Sequence, residues 1–198
     1  MSVLFHGNFA LNRTYMAGLL KASLKDPSLK DKELAEPFGY GAPFGQRYRS
    51  WLHKCGIAKM GLPLKLTPMG EVVVKNDPTF KSLVTQWFLH HELVTDPERS
   101  EAWHYFARKF LPKNAHFSKV DLLDGLTEQL RPHSEMHFGP GSKLNQQILR
   151  KIIQVYTSDE GLGKLGLVAQ EGKNFKRLKP KVLGPWRSPE ELEKAYRS

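Results

Sequence analysis

The chain has 198 residues, 40% of them apolar and 25% charged, with a single cysteine, which excludes a disulfide-stapled scaffold, a collagen-like chain and a wholly disordered one. Thirty Lys and Arg against twenty Asp and Glu leave a net charge of +10 and a pI near 9.7, a balance that attracts polyanions and makes nucleic acid the first partner to consider. No stretch reaches the roughly 18 consecutive apolar residues of a membrane span, and the start of the chain lacks the basic residues and apolar core of a secretory leader, so a cytoplasmic protein with no membrane partner is expected.

Leu11, Tyr15, Leu19 and Leu20 recur at helical spacing over 11–24, and Asp26-Pro27 supplies a stop. A short helix is expected at 31–37, ended by Pro37 and a glycine-rich turn, Gly39-Tyr40-Gly41-Ala42-Pro43. The spacing of Phe44, Tyr48, Trp51, Leu52 and Cys55 predicts an amphipathic helix over 44–55, with Gln46, Arg47, Arg49, Ser50 and Lys54 on its other faces. Gly56 fits a left-handed cap. Residues 57–67 read as two short strands turned through Gly61-Leu62-Pro63, after which Pro68 and Gly70 end the unit. Helix, short helix, turn, basic helix and hairpin is the layout of a winged helix-turn-helix.

Asp77-Pro78 and Asp96-Pro97-Glu98 each place a capping acid before a proline, and each is expected to start a helix. Phe80, Leu83, Val84, Trp87, Phe88 and His91 form the apolar stripe of the first, and Trp103, Phe106, Ala107 and Phe110 that of the second. A third begins at Ser118 with Asp121 as its capping partner and carries Val120, Leu123 and Leu130. Gly139, Pro140 and Gly141 mark 133–142 as the best linker. Leu144, Ile148, Ile152 and Tyr156 predict a helix over 144–156. Leu165-Gly166-Leu167-Val168 then echoes Cys55-Gly56-Ile57-Ala58, which suggests a second helix and wing with its turn at Gly172. Ser188-Pro189-Glu190-Glu191 opens a terminal helix.

The most polarised stretch is 173–187, where Lys173, Lys176, Arg177, Lys179, Lys181 and Arg187 occur with no acidic residue and with Phe175 and Trp186 interleaved. A basic wing of this kind lies along phosphates, and an aromatic ring can stack on a base. Arg47 and Arg49 would either read guanine edges or grip phosphate. Eight histidines raise the question of a metal, but His90, His91 and His104, or His133 and His137, lack a zinc-site spacing, and His-Glu-x-x-His is absent. Cys55 lies on an apolar stripe, and neither a nucleophile elbow, a Walker loop nor a dinucleotide fingerprint occurs. No catalytic residue, metal or cofactor is expected.

Several short runs together resemble a known family. Phe5-His6-Gly7-Asn8-Phe9, Phe38-Gly39-Tyr40-Gly41, Arg47-Tyr48-Arg49-Ser50-Trp51-Leu52, Cys55-Gly56-Ile57 and Leu66-Thr67-Pro68-Met69-Gly70-Glu71 are similar, in order, to the family catalogued as domain of unknown function 4007. So are Asp77-Pro78, Gln86-Trp87-Phe88-Leu89-His90, Trp103-His104-Tyr105-Phe106 and Leu165-Gly166-Leu167. The chain departs from the family where Ala42-Pro43 replaces the usual Lys-Asn pair. Its members tend to be encoded beside sulfurtransferase-like proteins of the PAPS reductase type, in bacterial DNA phosphorothioation and phage-defence islands. The resemblance thus implies a DNA-linked accessory role.

The expectation is a mainly α protein with short β wings, built as two winged helix-turn-helix-like units, 1–76 and 142–198, around a helical middle, 77–132. It is expected to bind nucleic acid, duplex DNA before RNA, through Gln46, Arg47, Arg49, Ser50, Lys54, Lys173, Lys176, Arg177, Lys179, Lys181 and Arg187. Its role would be that of an accessory or targeting subunit in a defence or modification complex, not an enzyme. The alternatives are a protein-interaction or RNA-contacting subunit of a CRISPR-type ribonucleoprotein, and an accessory activator of a sulfurtransferase or nuclease.

Overall fold

The computed structural model describes residues 3–198, so the first two residues of the expected 1–76 unit lie outside it. The protein is mainly helical with one three-stranded antiparallel sheet. The chain divides into two compact units, Phe5–Glu92 with Val182–Ser198, and Leu93–Lys181 with residues 3–4. Each unit carries half the chain's charge, fifteen basic and ten acidic residues, so net charge alone favours neither as a polyanion site.

In the unit built from both ends of the chain, α1 (Arg13–Lys25) starts where the Asn12 side chain accepts from Tyr15 N at 3.0 Å. It is followed by α2 (Asp31–Ala35), a 3-10 turn at Glu36–Phe38 and α3 (Ala42–Lys54). The inner stripe of α3 is the expected one: Phe44, Tyr48, Trp51 and Leu52 are buried. Trp51 Nε1 donates to Phe9 O at 2.9 Å and the Tyr48 hydroxyl to Ala10 O at 2.8 Å, so these large aromatics bury their area without orphaning a donor. Gly45 is required by a close approach, because a Cβ there would fall 2.3 Å from the backbone oxygen of Asp31.

Beyond α3 the structure corrects several expectations. Gly56 is left-handed as expected, at φ 75°, but 57–67 holds a single bridge, Ala58 to Leu66, in place of two strands. The loop is tied inward, Leu64 N to Ser23 Oγ at 3.4 Å and the Thr67 hydroxyl to Gly56 O at 2.6 Å, which diverts groups a ladder would use. Pro68 does not end the unit. Thr67 caps α4 (Pro68–Asn76), accepting from Gly70 N at 2.9 Å, with proline in the first turn where its missing N–H costs nothing. Pro78 likewise starts no helix: α5 (Leu83–Thr95) opens five residues later. The Asp77 carboxylate reaches forward to Lys81 N, Ser82 N and the Thr85 hydroxyl. Leu83, expected in the core, is 49% exposed. The terminal helix, α10 (Pro189–Arg197), is capped by Ser188 as expected. It packs in this unit through Glu193, which pairs with Lys75 and Asn76, and through Tyr196, whose hydroxyl lies 2.6 Å from Thr85 Oγ1.

In the other unit α6 (Glu101–His104), which starts after Ser100 and not after Asp96, runs into a π-helical stretch at Tyr105–Phe110. Then follow β1 (His116–Ser118), α7 (Lys119–Leu130), α8 (Glu135–Phe138), α9 (Lys143–Thr157), β2 (Val168–Glu171) and β3 (Asn174–Arg177). Ser118 and Asp121 form the expected capping box, and Leu130 is buried as expected, but Val120 is 64% exposed and Leu122 and Leu126 join Leu130 in the core. The sheet order is β1-β3-β2. Its third strand therefore comes from residues 116–118, outside the expected second wing. An aromatic ladder fills the core: Trp103 and Phe106 meet Tyr156, Phe110 meets Phe117 edge-on at 5.1 Å, and Phe117 stacks on Phe175 at 5.4 Å.

Two outcomes follow. Gly45→Ala forces α2 off α3 and is expected to lower stability by about 1–3 kcal/mol, read by thermal melting. Burial pushes the Tyr196 hydroxyl up to about 12, while a tyrosine in the unfolded chain ionises near pH 10. The stability this adds is complete below about pH 10 and lost as the pH rises toward about 12, because the unfolded chain sheds the proton first. Urea unfolding at about pH 9 and about pH 11 should show that loss, and Tyr196→Phe should reduce it.

Candidate nucleic-acid interface

The two expected groups of site residues fall in different units, and their environments differ. On α3 the guanidinium of Arg49 is bidentate to Asp31 of α2, at 2.6 and 2.8 Å. This hydrogen bonding holds its pKa above the usual value against the opposing effect of burial. Gly45 and Arg49 lie one helical turn apart, so the start of α2 is clamped to α3 twice, by backbone contact and by charge. Arg47 donates to Phe5 O at 3.1 Å, and the Lys54 ammonium sits 5.4 Å from the centre of the Phe5 ring. The Ser50 hydroxyl donates back to Gln46 O at 3.2 Å. Of the five residues expected here, only Gln46 is exposed. The basic side chains of α3 hold the fold together.

The 173–187 stretch divides. Gly172 turns the β2–β3 hairpin with φ 64°. Lys173 stands at that turn and Lys176 on the outer face of β3, opposite His116 of β1 and Ala169 of β2. Phe175 points the other way into the core and Arg177 donates to Leu111 O and Pro112 O at 2.8 Å, so neither is offered to a ligand. Lys173, Lys176, Lys179 and Lys181 are all exposed and have no carboxylate partner among the described residues. Beside the turn a groove of about 470 Å³ is lined by Lys119, Val120, Gln170, Lys173 and Asn174. Arg187 and Trp186 belong to the other unit: Arg187 is exposed with its backbone N–H donating to Glu191, and Trp186 meets His91 edge-on.

A surface that sequence reasoning missed lies on α9. Its inner face is Asn145, Ile148, Leu149, Ile152, Val155 and Tyr156, while Lys143, Gln146, Arg150, Gln154 and Thr157 are exposed along the opposite side. The helix contains no Asp or Glu. Burial, and then the neighbouring Arg150 cation, lower the pKa of Lys151. An acid-free run with glutamine and arginine at three- and four-residue steps was the available signal. At the entry to α9, Ser142 caps through Asn145 N, and the fully buried Asn145 amide donates to Phe138 O at 2.7 Å and to Thr127 Oγ1 at 3.2 Å.

His90, His91 and His6 are buried, while His116, His133 and His137 are exposed. His91 donates to Leu183 O and His104 to Val94 O, each at 2.7 Å, and among the described residues no three His, Cys, Asp or Glu side chains are gathered as a metal site. Cys55 is fully buried. No helix among the described residues is long and apolar enough to cross a membrane.

Residues 5–175 match the model of the family described as "Protein of unknown function (DUF4007)". The chain belongs to this family. No curated protein matches it. Two solved structures, "Magnesium ion-bound SspB crystal structure" and "SspB crystal structure", share its fold with TM-scores of 0.62 and 0.59 at 18% and 17% identity, over 90% of this chain. The DUF4007 chain spans 60% of the length of those structures.

The Arg49–Asp31 pair is partly buried, with each side chain retaining about a fifth of its surface. A double-mutant cycle on Arg49→Ala and Asp31→Ala should give a coupling of about 1 kcal/mol in unfolding free energy, with Arg49→Ala leaving nucleic-acid affinity unchanged.

Proposed function

We propose that this DUF4007 chain is a duplex-DNA-binding accessory subunit that performs no catalytic step itself and works beside the enzymes of a DNA-modification or defence system. The observation that carries the reading is the group of four exposed cations, Lys173, Lys176, Lys179 and Lys181, on and just behind a hairpin and without acidic partners. Each cation of such a group that neutralises a phosphate releases a condensed counterion, so affinity follows from charge and falls with salt. The order helix, strand, three helices, strand, strand in 101–177, with the first strand pairing the last, supports reading this unit as a winged helix that carries one added short helix, α8, and whose wing is the β2–β3 hairpin. Membership of the family and the likeness to structures titled SspB support a place in DNA phosphorothioation. Other subunits of that machinery are the protein partners this reading implies.

Replacing the four lysines with alanine should weaken duplex binding and reduce the slope of log affinity against log salt by about 0.9 for each phosphate that is no longer neutralised. Fluorescence anisotropy with duplex DNA, single-stranded DNA and RNA at two salt concentrations measures this. A slope that does not change removes the hairpin from the interface, and tighter binding to RNA than to duplex overturns the choice of DNA.

A further inference from the structure

We infer that α9 is a base-reading helix, with Gln146, Arg150 and Gln154, flanked by Lys143 and Gln147, facing base edges in the major groove of duplex DNA. The inference rests on the duplex-DNA reading above and adds sequence recognition to it.

The dimensions fit. Fifteen residues at 1.5 Å per residue make a rod about 22 Å long, and the B-form major groove is about 12 Å wide, enough for one helix with its side chains. The chemistry fits as well. Arginine presents two parallel donors to O6 and N7 of guanine, and the glutamine amide pairs with N6 and N7 of adenine, so the row from 146 to 154 has the two side-chain types that discriminate purines. An ordinary solvated helix face mixes signs, as α7 in the same unit does with Asp121, Asp124 and Glu128 beside Lys119. On α9 no carboxylate would repel the phosphates that border the groove.

Availability separates this helix from α3. Arg47 and Arg49 are held by Phe5 and Asp31, whereas Gln146, Gln147 and Arg150 have no side-chain partner among the described residues and Gln154 accepts one long, exposed bond from Lys151 at 3.4 Å. The reading face is also preorganised. Ser142 fixes the first turn, Asn145 ties the helix to Thr127 and Phe138, and an apolar face of Ile148, Ile152, Val155 and Tyr156 anchors the rest. A rigid backbone lets planar side chains discriminate between base pairs instead of adapting to any of them. Lys143 at the amino end and Lys151 beside Arg150 are placed to meet phosphate, which sets register without reading sequence.

The test is selection of bound duplexes from a randomised pool by the full chain at about 150 mM salt. The expected result is a short motif containing G and A. Arg150→Ala and Arg150→Lys should each lower the preference for that motif over a scrambled duplex by about 5-fold or more. Arg150→Lys keeps the charge, so its affinity for the scrambled duplex should stay within about 2-fold of the parent. Thermal melting shows that both variants fold. A pool that yields no motif although duplex is bound overturns base reading and leaves backbone binding by the hairpin intact. Failure to bind any duplex overturns both readings.

Discussion

A single buried amide holds the proposed recognition surface in place. Asn145 has no access to water, and its two donors bridge the end of α7 and the end of α8 at the point where α9 begins. Without those bonds the donors would be stranded in an apolar core, a penalty of about 1–3 kcal/mol for each group, so the three helices are held to one arrangement. The glycine-rich turn at 139–141 could otherwise swing. The side chains along the outer face of α9, Gln146 to Gln154, therefore inherit their direction from a residue on its inner face.

The contrast between the two basic helices shows how a cation's partner decides its role. Along α3 the arginines lie within reach of a carboxylate and a backbone oxygen, and pairing with them stabilises the packing of α2 and of the amino-terminal segment. Along α9 and the hairpin Glu171 stands on β2, but no carboxylate among the described residues pairs with Arg150 or the four lysines. Composition alone cannot make this distinction, because both units carry the same net charge. Acid-free stretches do so better.

Much of the fold was legible because local chemistry decides it. The capping pairs at Ser118 and Ser188, the left-handed glycines at 56 and 172, and the apolar stripes of α3 and α9 are each fixed by neighbours a few residues away. What was illegible depends on distant partners. The strand at 116–118 is three residues long and exists because β3 lies beside it. The expected strands at 57–67 are lost to bonds with Ser23 and within the loop. Pro68 read as a stop because the hydroxyl that makes it a helix start belongs to the residue before it. The hairpin lysines stand out in the sequence by sign asymmetry alone. The outer face of α9 was missed because its apolar stripe is the stronger pattern and its polar residues carry no motif of their own.

The division of the chain carries a consequence for synthesis. Residues 93–181 form a continuous compact unit, but the unit that opens the chain is completed by residues 182–198, whose Glu193 and Tyr196 engage Lys75, Asn76 and Thr85. On the ribosome residues 5–92 therefore emerge without their closing helix until 93–181 have been translated. During that interval the faces of α4 and α5 that α10 covers stay open to solvent. Residues 182–198 are made after 93–181, so the unit begun by 5–92 closes only once the other compact unit has been translated.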